Sequence, residues 1–206
     1  MSGRSGRSGG LTRRACLAGL GLVTGLDRAV AEASEPLRDA PTGRDRLWLM
    51  RPDGSEVLSR FRTADGYDRP QILLLSWFMR DIRDDDRAVW MEPRLFDLLA
   101  GVQASMSAVH GSALPLVVTS GYRTPRHNAT LENAARTSMH LYGYAADVQV
   151  RDYPPRAVAL AASFFCEGGI GLYDTFTHLD VWQRRRWSSG PRESGRERET
   201  VGAPLA

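Results

Sequence analysis

Residues 138–147 read Ser-Met-His-Leu-Tyr-Gly-Tyr-Ala-Ala-Asp, which places a histidine and an aspartate on either side of a glycine. Residues 145–150 have the apolar, β-branched character of a strand, so Asp147 would be fixed on that strand while His140 lies on the loop before it. Gly143 permits a tight turn between the two. The segment therefore predicts a cleft into which both side chains can point.

A second segment adds another histidine to this pair. Residues 176–181 read Phe-Thr-His-Leu-Asp-Val and alternate like a strand. A catalytic zinc ion takes three protein ligands and keeps one position for water, and imidazole and carboxylate ligands suit zinc better than calcium or magnesium. His140, Asp147 and His178 are therefore the candidate zinc ligands. On spacing alone, unrelated surface or core histidines remain the alternative.

Helices and strands are interspersed around these two segments. The predicted elements are a β-hairpin over residues 47–58, a helix over 70–80, a helix that begins at Pro93, a strand over 114–119 and a helix over 154–165. The helix at Pro93 has an apolar face that is assigned to the core and consists of Leu95, Leu98, Leu99, Val102 and Met106. This order predicts an α+β fold, a single domain with a central antiparallel sheet and flanking helices.

The composition is typical of a soluble protein with one domain and little net charge. The chain has 206 residues, of which 42% are hydrophobic and 25% charged. Five arginines and one acidic residue precede residue 32, and the rest contains 22 arginines and 23 acidic residues, so the formal charge of +3 belongs to the leader. A nearly neutral domain gives no basis for nucleic acid or anionic lipid as a partner.

The N-terminal residues have the features of an export signal. Arg13 and Arg14 precede an apolar run over residues 15–26, and residues 29–31 read Ala-Val-Ala, a small-residue cleavage pattern. We interpret residues 1–31 as a twin-arginine signal peptide cleaved after Ala31, which predicts a periplasmic or cell-envelope location. The run is shorter than the roughly 20 residues of a spanning helix, so no stable anchor is expected after cleavage. A membrane anchor or a disordered leader is the alternative.

The remaining boundaries follow from composition. Residues 32–44 are polar and proline-containing and are predicted as a linker, residues 45–187 form the domain, and residues 188–206 are predicted as a flexible tail. Cys166 would be the single cysteine left after signal cleavage, so no intramolecular disulfide is expected. No feature specific to an oligomer is visible, and a monomer is expected.

The motifs resemble those of peptidase family M15. Five fixed positions of its first zinc motif are matched, by Ser138, His140, Gly143, Ala145 and Asp147. Residues 120–125 with Asn128 resemble the segment that precedes this motif, and residues 168–173 with 176–180 resemble the second zinc motif of the branch that contains murein endopeptidase K. Murein endopeptidase K is exported by the twin-arginine route, in agreement with the leader.

The resemblance extends from about residue 47 to residue 187 and implies a hedgehog/D,D-peptidase-type α+β domain. It implies a zinc-dependent peptidase acting on the peptide stems of peptidoglycan, foremost an endopeptidase that hydrolyses amide bonds in murein cross-links. A D,D-carboxypeptidase or dipeptidase that trims stem peptides is one alternative. A zinc-stabilised wall-binding domain without catalysis is another.

The general base is the position at which the sequence departs from other family members. Thr175 stands where some carry a glutamate, and Phe176 where others carry a histidine. Asp180 is the candidate base, because alternate residues of a strand share a face and His178 is two positions away. The competing interpretation is that Asp180 orients a zinc-bound imidazole. Asp174 is a third candidate for the base.

Three further polar side chains are assigned to the substrate or to the loop around it. Arg123 is expected to bind a substrate carboxylate or to stabilise the oxyanion, and a structural salt bridge is the alternative. Ser138 binds polar groups of the substrate or hydrogen-bonds its own loop. His127 either lines the cleft or is a solvated surface histidine. The run Arg184 to Arg186, between two tryptophans, is interpreted as a local feature, with contact to an acidic substrate as its candidate role.

Overall fold

The structure is a computed structural model that describes residues 43–132 and 134–189. The predicted signal peptide, all but two residues of the predicted linker, and the tail from residue 190 lie outside the described residues. Within the described ranges, no helix combines the length and apolar character that crossing a bilayer requires.

The described residues form nine strands, four α-helices and one 3₁₀ turn. The strands are β1 (Arg46–Met50), β2 (Glu56–Arg60), β3 (Arg62–Thr63), β4 (Gly66–Tyr67), β5 (Leu116–Ser120), β6 (Ala145–Gln149), β7 (Gly169–Leu172), β8 (Thr177–Asp180) and β9 (Arg185–Ser188). The helices are α1 (Arg69–Phe78), α2 (Pro93–His110), α3 (Pro125–Thr130) and α4 (Pro155–Ser163), and the 3₁₀ turn covers Met139–Tyr142.

Seven of the strands form one sheet in the order β2-β1-β5-β6-β8-β7-β9. The centre is antiparallel, because β6 pairs antiparallel with both β5 and β8, and β8 pairs antiparallel with β7. This confirms the predicted α+β class with a central antiparallel sheet. Two pairs nearer the ends, β1 with β5 and β7 with β9, are parallel. The first of these parallel pairs requires a long crossover, which α1 and α2 supply.

The core lies between the sheet and the helices, as the patterns predict. Alternate residues of the first hairpin are buried, among them Leu47, Leu49 and Val57. All five residues assigned to the apolar face of α2 are buried. Pro93 begins that helix, and Gly111 ends it with a left-handed φ of 85°, a conformation that glycine adopts without strain.

Several predicted boundaries shift by a few residues. Helix α1 ends at Phe78 instead of residue 80, because Met79 leaves the helical conformation and caps it. Helix α4 ends at Ser163 instead of residue 165. Strand β5 begins at Leu116 instead of residue 114, since the carbonyl of Leu114 accepts a hydrogen bond from the Gln103 side chain at 2.8 Å.

Two strands of the sheet are absent from the sequence interpretation. Strand β7 is glycine-rich, and β9 includes the last two residues of the exposed arginine run. This strand lies at the edge of the sheet beside β7, and Arg186 Nη1 donates to the carbonyl of Gly168 at 2.8 Å. Both strands depend on tertiary partners, which short glycine-rich and charged segments do not reveal.

Candidate metal centre

The two histidines and the aspartate singled out by the sequence meet at the centre of the sheet. Strands β6 and β8 pair so that Asp147 lies opposite His178, and the 3₁₀ turn brings His140 to the same place. His140 Nε2 lies 3.1 Å from Asp147 Oδ1 and 3.1 Å from His178 Nδ1, while His178 Nδ1 lies 2.9 Å from Asp147 Oδ1. All three residues are buried, and we call this group the donor cluster.

His140 is oriented by a backbone carbonyl that follows β5 and by the glycine that ends its own turn. Its Nδ1 donates to the carbonyl oxygen of Gly121 at 2.6 Å, so the Nε2 lone pair faces the donor cluster. Gly143 ends the turn with a φ of 72°, which confirms the predicted role of this glycine. A carbonyl oxygen thus fixes the tautomer that a metal ligand requires.

His178 faces the donor cluster with its other nitrogen. Its Nε2 contacts Asp180 Oδ2 at 3.1 Å, which leaves Nδ1 directed toward Asp147 and His140. The indole ring of Trp187 packs against its imidazole, with ring centroids 5.2 Å apart. Asp180 and Trp187 therefore hold His178 in place from β8 and from the edge strand β9.

Asp180 is engaged at both carboxylate oxygens and is 0% exposed. Oδ1 accepts from the backbone nitrogens of Gly169 at 3.0 Å and Trp182 at 2.9 Å, and Oδ2 accepts from Arg185 Nη2 at 2.8 Å in addition to His178. It lies across the imidazole from the donor cluster. This geometry favours the interpretation in which Asp180 orients His178 over the one in which it is a general base. Asp174 is exposed in the turn between β7 and β8 and is not part of the cluster.

Arg123 borders the donor cluster. One terminal nitrogen, Nη2, donates to Asp147 Oδ2 and lies 3.3 Å from His140 Nε2, while Nε donates to Ser120 Oγ at 2.8 Å. The side chain thus makes the salt bridge that was the structural alternative. The guanidinium of Arg123 also lies next to the place that a ligand bound at the donor cluster would occupy. Ser138 precedes the 3₁₀ turn, and its side chain makes no capping hydrogen bond there.

His127 is neither part of the donor cluster nor a solvated surface residue. Its side chain is 10% exposed, and Nδ1 lies 2.9 Å from both carboxylate oxygens of Asp81. Thr124 Oγ1 caps α3 by accepting from the backbone nitrogen of His127. The histidine lines a separate cavity next to the cluster.

Burial and mutual contacts set the charges of the cluster. Burial raises the pKa of Asp147, but its contacts with His140 and His178 outweigh burial and hold that pKa far below its ordinary value. Burial lowers the pKa of His140. Burial also opposes the charged form of His178, yet its hydrogen bonds to Asp147 and Asp180 outweigh this and raise its pKa. Asp147 is therefore a carboxylate and His140 a neutral imidazole, the forms that bind metals.

The donor cluster fits a metal ion of the zinc type. The three facing atoms are two imidazole nitrogens and one carboxylate oxygen, which carry lone pairs and repel one another unless a cation or a proton lies among them. Both imidazoles are oriented by a hydrogen bond from their other nitrogen, as metal-binding histidines are. Sequence patterns could not reveal the Gly121 carbonyl that orients His140. An orienting contact with His178 is one of the two interpretations of Asp180, but the Arg185 that holds its carboxylate comes from a strand that was not predicted.

A comparison with known protein families identifies a matching family. The sequence profile of the family Peptidase_M15_2, described as peptidoglycan L,D-endopeptidase MepK, matches residues 43–187. The matched range includes the donor cluster, Arg123 and Asp180. A comparison with curated proteins finds no match.

Proposed function

This chain belongs to the Peptidase_M15_2 family of peptidoglycan peptidases, and from that premise we propose that it is a zinc-dependent murein endopeptidase. Its substrate would be the peptide cross-links of peptidoglycan, in which it hydrolyses an amide bond. The description of the family supports the L,D bond as the one cut. The observation that carries the metal dependence is the convergence of His140, Asp147 and His178 in one buried cluster.

His140 Nε2, Asp147 Oδ1 and His178 Nδ1 would hold the zinc ion. When bound, zinc polarises the scissile carbonyl and lowers the pKa of a coordinated water to about 7. Asp180 keeps the His178 proton on Nε2, so that Nδ1 presents its lone pair to the cluster. Because both oxygens of Asp180 are engaged, we assign it to positioning and not to proton transfer.

Arg123 would act on the substrate. Its guanidinium lies at the edge of the cluster, with Nη2 beside Asp147 and His140. A fixed cation at this place stabilises the negative charge that develops on the carbonyl oxygen during amide hydrolysis. The Ser120 hydroxyl holds Nε at 2.8 Å and so limits the guanidinium to this orientation. Ser138 remains a candidate for contacts with polar groups of the stem.

The decisive experiment combines metal analysis with a digest of defined muropeptide dimers. Purified protein is incubated with dimers linked by either an L,D or a D,D bond, with and without chelator, and the products are identified by mass. We expect metal-dependent cleavage of the L,D-linked dimer and none by Asp147→Asn. The absence of chelator-sensitive cleavage of any dimer would reject the peptidase proposal.

Two alternatives produce different results in the same digest. A D,D-carboxypeptidase or dipeptidase would shorten stem ends and leave the cross-link intact, which the product masses distinguish. A wall-binding domain would retain zinc and bind sacculi without turnover. The wall-binding alternative draws support from the second motif, in which Thr175 and Phe176 stand where other family members carry a glutamate or a histidine as base. Thr175 is exposed, and the ring of Phe176 stacks on Tyr173 with centroids 4.4 Å apart.

Export is a separate proposal that rests on the N-terminal sequence. We propose that residues 1–31 direct the chain through the twin-arginine route to the periplasm or cell envelope, where the mature protein acts as a monomer without a membrane anchor. Fractionation of cells that produce the full chain tests the route. Arg13→Lys together with Arg14→Lys should retain the protein in the cytoplasm, and unchanged export would contradict the proposal.

A further inference from the structure

The cavity that His127 lines lies next to the donor cluster. It has a volume of about 210 Å³ and lies between the turn after β1, the end of α1 and the end of β5. Its walls include Ser120 and Gly121, which also contact the metal centre. Ser120 Oγ accepts from Arg123, and the Gly121 carbonyl accepts from His140. The cavity and the metal centre therefore share two wall residues.

Arg51 is the buried cation of the cavity wall. The residue is 9% exposed, its Nη2 donates to the Phe78 carbonyl, and its guanidinium carbon lies 5.0 Å from the centroid of the Phe78 ring. Within residues 43–132 and 134–189 it forms no ion pair with a carboxylate. Burial and the nearby Arg80 lower its pKa and outweigh the opposing effect of the more distant carboxylates of Asp53 and Asp86. Burying a charge without a partner is costly, so an anion is the expected ligand.

The acidic residues of the cavity are engaged elsewhere. Asp53 accepts from the backbone nitrogen and the hydroxyl of Ser55 at 2.8 and 2.7 Å. Asp81 accepts from the backbone nitrogens of Thr124 at 2.9 Å and Arg83 at 3.1 Å, and it holds His127. Two further arginines line the cavity: Arg83, which is exposed, and Arg80, which pairs with Asp86 at 2.8 Å. Arg51 is therefore the buried arginine of this lining that has no carboxylate in ion-pair contact.

We propose that this cavity binds a free carboxylate of the peptide stem, with Arg51 as its anchor, while the amide bond to be cut lies at the donor cluster. The inference rests on the proposed function and adds a specificity subsite to it. Peptidoglycan stems carry free carboxylates on the residues around their cross-links. A guanidinium binds a carboxylate through two parallel hydrogen bonds, which would select stems with a free acid over amidated ones.

The test measures binding, so it does not depend on turnover. The probes are a stem tetrapeptide with free carboxylates, the same peptide with each carboxylate amidated in turn, and inorganic phosphate. Affinities are measured calorimetrically for the wild type and for Arg51→Gln, with chelator and with zinc. For the wild type, we expect one particular amidation to weaken binding about tenfold or more, and for Arg51→Gln we expect that amidation to have no effect.

Two variants separate a binding role from a structural one. Arg83→Gln changes an exposed cavity residue, should fold normally and should weaken discrimination by a smaller factor. Arg156→Gln, an exposed arginine on α4, should leave discrimination unchanged. If Arg51→Gln does not fold, as judged by thermal unfolding, the wild-type amide series and Arg83→Gln decide the question.

Three results would overturn the inference. They are equal wild-type affinities for free and amidated peptides, amide discrimination that survives in a folded Arg51→Gln protein, and Arg51-dependent binding of phosphate without Arg51-dependent binding of the peptide. Amide discrimination that depends on Arg51 supports the subsite even if no dimer is cleaved. In that case the peptidase proposal fails while the subsite stands.

Discussion

At the scale of single residues, the second nitrogen of each histidine controls what the donor cluster can bind. Gly121 supplies a carbonyl oxygen to His140, and Asp180 supplies a carboxylate to His178. The carboxylate is the stronger of the two constraints, because it is itself held by backbone nitrogens and by Arg185. The availability of His178 for a metal therefore depends on a residue that would not touch the metal.

Asp180→Asn tests this dependence. Loss of an orienting carboxylate is expected to lower metal affinity by about 10- to 100-fold, because the imidazole loses its fixed tautomer. Competition with a chromophoric chelator measures the effect. Asp174→Asn, an exposed acid in the neighbouring turn, is the matched control and should bind metal like the wild type. Unchanged metal affinity in Asp180→Asn with complete loss of turnover would instead support its assignment as general base.

Arg123→Lys tests the assignment of the guanidinium to the substrate. Lysine keeps the charge but cannot bridge Ser120 and the cluster, so the turnover number should fall by about 10²- to 10³-fold while zinc remains bound. Steady-state hydrolysis of a muropeptide dimer together with metal analysis separates the two effects. The control is Arg126→Lys, an exposed arginine in the first turn of α3 that pairs with Asp84 and Asp85. Loss of zinc from Arg123→Lys would point to a structural role.

The raised pKa of His178 predicts a pH dependence of metal binding. In the metal-free protein, Asp147 and Asp180 stabilise the protonated imidazole, so its pKa lies above its ordinary value. A metal must displace this proton, and affinity should therefore rise with pH until His178 is deprotonated without metal. Proton release, measured calorimetrically in buffers of different ionisation enthalpy, checks the sign. Affinity that does not change between pH 6 and 8 would contradict it.

The candidate ligands could be predicted from the sequence because a dense motif contains two of them and a strand pattern contains the third. The position of Asp180 on the face of His178 could also be predicted from strand alternation. Its role could not, because that depends on how many donors fill its oxygens, and these come from Gly169, Trp182 and Arg185. The environment of His127 was likewise hidden, since Asp81 is distant in the chain.

At the scale of elements, the packing of β7 against β9 depends on a glycine, Gly171, which has no side chain. A Cβ atom at Gly171 would lie 2.5 Å from the indole of Trp187, so only glycine lets this ring cross β7 and reach His178. Strand β7 is therefore glycine-rich for a packing reason. Its composition resembles a loop, which is why sequence patterns miss it.

Gly171→Ala should displace Trp187 from His178. We expect a loss of about 1 to 3 kcal/mol in the free energy of unfolding and weaker metal binding, because an added methyl group must push the half-buried Trp187 ring aside. Denaturant unfolding and metal competition measure the two effects. Combining Gly171→Ala with Trp187→Leu removes the clash and should recover part of the stability. No recovery in the double variant would show that the strain lies in the backbone.

At the scale of the whole molecule, the sheet joins the metal centre to the C-terminal end of the domain. Strand β9 supplies Arg185 to Asp180 and Trp187 to His178, and it covers the edge of β7. The fold class could be predicted from the succession of elements. The parallel pairing of β7 and β9 could not be predicted, because neither segment has a local sequence that is typical of a β-strand.

Ending the chain after residue 184 should disable the protein, whereas ending it after residue 189 should not. The shorter form loses β9 and leaves β7 as an unprotected edge, which favours aggregation. We expect it to have a lower melting temperature, reduced solubility and weak zinc binding. The longer form keeps every contact described here and serves as the control. Normal zinc affinity without β9 would contradict the proposed dependence.

The distance along the chain between the parts of the metal centre has a consequence for biosynthesis. The segment with His140 and Asp147 leaves the ribosome well before His178, and Trp187 follows later still. Contacts between distant segments form late in folding, since the intervening chain must first be ordered. A nascent chain therefore exposes two of the three donors before the third is available, and stable uptake of metal must wait until translation has passed the last strand.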